Sequence, residues 1–194
     1  MLYPADDDVV WPYVALVPMR PPRAQLTLFV APGAAVAIEE VRAEFNPVQR
    51  RLIDGHVTLC REDELVDLAR VRHNLRAGGL GPVTIDFGPA TRFADGRGVL
   101  LPATGDQPGF HALRRAALSD VVERPRLLEP HVTLMHPRNS TCTDAAFVAI
   151  VARALPQRLT FTTVSLIEQA DGGAWRVLEV FALTDAAERD PAPT

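Results

Sequence analysis

The sequence predicts an α+β fold: a two-lobed, pseudo-symmetric duplication of a β-α-β-α-β unit, with antiparallel-rich sheets facing a central cleft and helices outside. Three observations carry this expectation. The same order of strand and helix patterns occurs twice. Matching positions keep a near-constant spacing: Leu26 maps onto Val99, His56 onto His131 and Thr84 onto Thr160, at offsets of 73, 75 and 76 residues. The tetrapeptide His-Val-Thr-Leu stands at the same point of both copies, at 56–59 and 131–134. A unit this long is no solenoid repeat, so two copies imply two halves about a pseudo-two-fold axis.

Each element has its own signal. Leu26–Val30 reads as a strand stopped by Pro32-Gly33. Residues 34–45 place Val36, Ile38, Val41 and Phe45 near helical spacing, and Asn46-Pro47 is read as their end. His56–Leu59 is a short strand after the turn Asp54-Gly55. Residues 62–77 read as one helix, with Leu65, Leu68, Val71 and Leu75 three and four apart and Gly78-Gly79 closing it. Val83–Phe87 alternates as a strand does and resumes near Thr91. In the second copy Val99–Leu101 is a strand, 109–122 a helix, His131–Leu134 a strand and 144–155 a helix capped near Thr143 or Asp144. Leu159–Ile167 reads as a single strand, and Trp175–Leu183 returns antiparallel after Asp171-Gly172-Gly173.

The ends differ from this pattern. Residues 1–24 hold five prolines and read as an extended arm, with Val14–Val17 as a candidate edge strand. Residues 185–194 read as a flexible tail. Between them, 25–184 form one bilobal domain, with repeat 1 over about 25–93 and repeat 2 over about 98–184.

Composition removes several classes of function. Hydrophobic residues make up 47% and charged residues 23% of the 194, which rules out wholesale disorder. No apolar run approaches the roughly 18 residues of a membrane span. The acidic start, MLYPADDDVV, is unlike a signal peptide, so a cytoplasmic protein is expected; a monomer is the separate expectation for its assembly. Net charge is −4, which argues against a duplex DNA partner. All 20 basic residues are arginine, which excludes a lysine Schiff base and a phosphate-loop lysine. Cys60 and Cys142 make neither a disulfide framework nor a four-ligand zinc site.

The chemistry lies in the repeated tetrapeptide. A given histidine has roughly a one-in-a-few-thousand chance of being followed by Val-Thr-Leu, yet two of five histidines are. Strand periodicity turns His56, Thr58, His131 and Thr133 to one face and the valines and leucines to the other. Converging in a cleft, they suit in-line attack on a phosphodiester. One neutral imidazole takes a proton from the nucleophile, the other protonates the leaving oxygen, and two hydroxyls donate to the non-bridging oxygens. No cofactor or metal is needed.

The paired His-x-Thr-hydrophobic motifs resemble those of the two-histidine phosphoesterase superfamily, and in particular its 2′-5′ RNA ligase-like and cyclic phosphodiesterase branch. Leu26–Pro32 is similar to that branch's first strand, and Glu129–Leu134 to its second motif. The resemblance spans about residues 25–184. It implies a metal-independent enzyme acting on a 2′,3′-cyclic phosphate or 2′-5′ phosphodiester of a nucleotide or RNA end, with His56 and His131 catalytic and Thr58 and Thr133 binding phosphate. Alternatives are a nucleotide or RNA-end binding module without turnover, and a tailoring enzyme on a non-RNA phosphate ester. Arg61 and Arg138, just after the motifs, are candidate phosphate contacts, and Phe93 and Trp175 candidate nucleobase contacts. By strand parity Cys60 falls on the His56 face, and His136 points away from His131 and reads as a loop residue.

Overall fold

Alternating apolar residues give the central strands one buried face, and that face collects the helices. The computed structural model describes residues 22–184. The first half holds β1 (Arg23–Phe29), α1 (Pro32–Phe45), α2 (Pro47–Leu52), β2 (His56–Cys60), a 3₁₀ turn (Glu62–Glu64), α3 (Leu68–Ala77), β3 (Val83–Asp86) and β4 (Thr91–Arg92). The second holds β5 (Val99–Pro102), α4 (Pro108–Ala117), β6 (His131–Met135), α5 (Asp144–Val151), β7 (Arg158–Phe161), β8 (Thr163–Gln169) and β9 (Arg176–Ala182). Arg23 and Ala24, assigned above to the arm, belong to β1. The rest of the expected arm, with its candidate strand at Val14–Val17, and the expected tail lie outside the described residues.

The fold is α+β. Seven antiparallel strands form one sheet in the order β4-β5-β6-β2-β1-β8-β9, and β3 and β7 form a second, two-stranded sheet. Strands of the two halves interleave: β4 pairs with β5, β1 with β8, and the two histidine strands β2 and β6 pair with each other, Val57 opposite Val132. In the small sheet Thr84 pairs with Thr160. Both residue pairs are positions that the sequence repeat matches.

The core fills one face of the large sheet. Leu26, Leu28, Val57, Leu59, Val132 and Leu134 are at most 1% exposed, and burying each such side chain stabilises by roughly 1.5–3 kcal/mol. The helices lie crosswise: α1 contacts β6 of the other half, and α4 contacts β2. Each half therefore covers the histidine strand of the other. Among the described residues no helix is long and apolar enough to cross a membrane.

Five elements differ in their boundaries from the sequence reading. Asn46-Pro47 does end α1, but Pro47 also starts α2, as proline at a first helical position does. The helix expected over 62–77 is a 3₁₀ turn and then α3, whose N-cap Asp67 accepts from the Arg70 N–H at 2.9 Å. The strand expected over 159–167 is two strands in different sheets, divided at Thr162. The helices expected over 109–122 and 144–155 end earlier, at Ala117 and Val151.

Candidate active site

The site is built on the β2–β6 pair. Val57 and Val132 point into the core, so His56, Thr58, His131 and Thr133 point to the open face, where all four are half-buried. The strands run antiparallel, so the register places His56 across from Thr133 and His131 across from Thr58. Each imidazole thus stands beside the hydroxyl of the other motif.

Both strands then carry a bulge at the same point. Thr27 pairs with Thr58 but Leu26 with Cys60, so Leu59 is an extra residue. Leu100 pairs with Thr133 but Val99 with Met135, so Leu134 is its counterpart. A bulge shifts the alternation by one. It turns Cys60 into the core, fully buried, with its thiol pushed up to about 12 by burial. It also turns His136 to the cleft. The parity expectations for both residues are corrected by this one device.

Buried arginines satisfy carbonyls beside the bulges. Arg114 of α4 donates to the Leu59 carbonyl at 2.6 Å and pairs with Glu64. Arg42 of α1 donates to the Thr133 carbonyl at 3.3 Å and to that of Ile53. An unpaired buried carbonyl is costly, and these contacts brace the far ends of both motifs.

The two histidines are held alike. His56 Nδ1 lies 2.7 Å from the Asp54 carbonyl, and His131 Nδ1 lies 3.0 Å from that of Glu129. A carbonyl only accepts, so Nδ1 carries a proton in both rings and Nε2 is left for chemistry. Phe29 meets the His56 ring edge-on at 6.1 Å, and Phe93 meets His131 at 5.7 Å. Burial lowers the His56 pKa from 6.5 to about 4, helped by Arg42, His131 and His136 and opposed by the bond to Asp54. Thr58 Oγ1 accepts from Gln25 Nε2 at 3.2 Å, and Gln25 is steadied by Thr27 at 2.7 Å. With that acceptor position filled, the Thr58 proton is free to point into the cleft.

Around these groups lies a cavity of about 930 Å³, a size that suits a nucleotide-scale ligand. His56, Thr58, His131 and Thr133 all line it, as do Arg61, Arg138, Phe93 and Trp175. Sequence reasoning missed Gln25, Arg42 and His136, and also Arg23 and Gln169 on the rim. Arg23 lies over the Trp175 ring at 5.4 Å and donates to Gln169 Oε1. Four arginines and two carboxylates, Glu62 and Asp171, line the cavity, so this surface is cationic within a chain of net charge −4. No cluster of three or more His, Cys, Asp or Glu side chains is placed to hold a metal ion among the described residues.

The model of the 2′-5′ RNA ligase superfamily matches residues 30–173, well over half of the chain. The chain belongs to the 2′-5′ RNA ligase superfamily. Solved structures share the fold. LigT of Escherichia coli complexed with phosphate aligns with TM-score 0.60 at 19% identity, over 85% of this chain and 99% of that one. LigT complexed with 3′-AMP gives 0.62 at 19%, over 86% and 100%. TT0787 of Thermus thermophilus gives 0.56 at 18%, over 84% and 99%. No curated protein sequence matches significantly. Membership of the 2′-5′ RNA ligase superfamily places this protein's function broadly in phosphoesterase chemistry.

Proposed function

We propose that the protein is a metal-independent phosphodiesterase acting on a 2′,3′-cyclic phosphate or 2′-5′ phosphodiester of a nucleotide or RNA end. The observation that carries this reading is the matched pair of histidines on one cleft face, each with Nδ1–H held by the carbonyl two residues earlier. In hydrolysis neutral His56 takes a proton from water through Nε2 as the water oxygen bonds to phosphorus. His131, protonated, gives its Nε2 proton to the leaving oxygen as the P–O bond breaks. The low pKa of His56 supports its role as base. In the reverse direction the two exchange roles and the same site joins ends. Thr58 and Thr133 donate to the non-bridging oxygens, which gain charge in the transition state. Arg61 and Arg138 supply positive charge, and Phe93 and Trp175 supply faces for a base. Solved structures of LigT with phosphate and with 3′-AMP support a nucleotide ligand for the shared fold.

A substrate panel tests the reading: 2′,3′-cyclic mononucleotides, 3′,5′-cyclic nucleotides, 2′-5′ dinucleotides and ADP-ribose cyclic phosphate, with product regiochemistry recorded. Turnover of a 2′,3′-cyclic or 2′-5′ substrate that persists in EDTA is expected. Binding of these ligands with no turnover would replace the enzyme by a binding module.

A further inference from the structure

The segment after the second motif forms a tight turn at one end of the cavity. Beyond the Leu134 bulge, His136 lines the cleft. Its Nδ1 accepts from the Arg138 N–H at 3.1 Å, so the neutral ring carries its proton on Nε2. The His136 carbonyl accepts from the Asn139 N–H at 3.0 Å and from Ser140 Oγ at 2.9 Å. Asn139 Nδ2 donates to Gln49 Oε1 at 2.6 Å, which pins the turn to α2. The turn is therefore fixed from several sides, and it presents an N–H donor and a guanidinium to the cavity.

Its charge is unbalanced. Residues 135–143 contain no acid, and α2 contributes none. Among the described residues Arg138 makes no ion pair, whereas Arg23 pairs with Glu62 and Arg42 with Glu39. The opposite end of the cavity differs: there Arg61 is followed by Glu62, Asp63 and Glu64. Burial and the charges of Arg138, Arg42 and Arg23 lower the His136 pKa against the smaller opposing charge of Asp95, so this ring serves as a donor rather than a proton carrier. Counted along the strands from the Val57–Val132 pair, with the bulge allowed for, His136 lies about two residues beyond His56, roughly 7 Å. The scissile phosphate of the proposed reaction lies between His56 and His131, so this turn faces a different group of the ligand.

We propose that the turn His136–Asn139 is a subsite for a second phosphate of the ligand, bound by the Arg138 guanidinium and His136 Nε2–H. The preferred substrate is then a nucleotide that carries a phosphate beyond the scissile one, either a terminal monoester or the next internucleotide diester. This rests on the reading of the cleft as a phosphodiester site, but its test needs no turnover.

Calorimetric titration compares adenosine 3′-phosphate, adenosine 3′,5′-bisphosphate and a 3′-phosphorylated adenine dinucleotide on the full chain. One or both of the latter two should bind about tenfold more tightly than the monophosphate, and which of them does identifies the kind of phosphate read. The advantage should fall to about twofold or less in Arg138→Ala and in His136→Leu, and persist in Arg124→Ala, an exposed arginine outside the cavity. No advantage in the native protein, or an advantage that Arg138→Ala retains, overturns the subsite. Failure of the catalytic reading shows separately, as absence of turnover across the substrate panel while the binding advantage remains.

Discussion

Arg42 links the core to the cleft, and replacing it tests both roles. The residue is 1% exposed and donates to the carbonyls of Thr133 and Ile53. Its charge is also among the causes that hold His56 near 4. A fall from 6.5 to about 4 corresponds to roughly 3 kcal/mol. Burial takes the largest part, and Arg42 is the first of the charges that add to it. Arg42→Met keeps much of the volume and removes the charge and the donors. Two carbonyls lose their partner, which should cost roughly 1–3 kcal/mol of stability. Loss of the cation makes His56 easier to protonate, so the acidic limb of log kcat/KM should move up from about pH 4 by about half a unit to one unit. The assay is turnover of a 2′,3′-cyclic nucleotide from pH 3.5 to 9, with thermal melts to confirm folding. A folded variant whose acidic limb stays in place, or moves to lower pH, refutes the argument.

Three further outcomes follow from the same geometry. Thr58→Val and Thr133→Val keep the shape and delete a donor, so each should lose roughly 1–3 kcal/mol of transition-state stabilisation in kcat/KM while melting near the native temperature; unchanged kinetics in both would mean that the hydroxyls face elsewhere. Stability should fall as pH drops from 6.5 to about 4, because in that window the unfolded chain protonates His56 and the native state does not. His136, also lowered, acts in the same direction, and urea titrations at pH 4.5, 5.5 and 7 should show the decline shrinking in His56→Ala. Activity should survive prolonged EDTA treatment; loss restored by zinc or manganese would overturn the metal-independent mechanism.

The sequence revealed what depends on period and repetition. The two copies of His-Val-Thr-Leu located the central strands, and the period of two told which residues share the cavity face. What it hid depends on contacts distant in the chain. The bulges at Leu59 and Leu134 leave no local mark, because leucine suits a regular strand equally well, yet they reverse the orientation of Cys60 and His136. Nothing local sets Arg42 apart from the other arginines of the chain; its burial comes from α1 crossing onto β6. The run Leu159–Ile167 shifts its apolar parity at Thr162-Thr163, from Leu159 and Phe161 to Val164 and Leu166, and its two pairing partners, β3 for one piece and β1 for the other, turn that shift into a division. Two signals were present and outweighed: Pro47 at a helix start, and Asp67 as an N-cap within an apolar period that seemed to continue.

The central claim is that His56 and His131 divide base and acid catalysis on a phosphodiester. The most direct test is the pH dependence of kcat/KM on a 2′,3′-cyclic nucleotide for the native protein, His56→Ala and His131→Ala. The native profile should be bell-shaped, its two apparent pKa values belonging to the coupled pair. Each variant should be slower by about a hundredfold or more, His56→Ala losing the acidic limb and His131→Ala the alkaline one. Near-native turnover in either variant, or both limbs intact in both, would contradict the account.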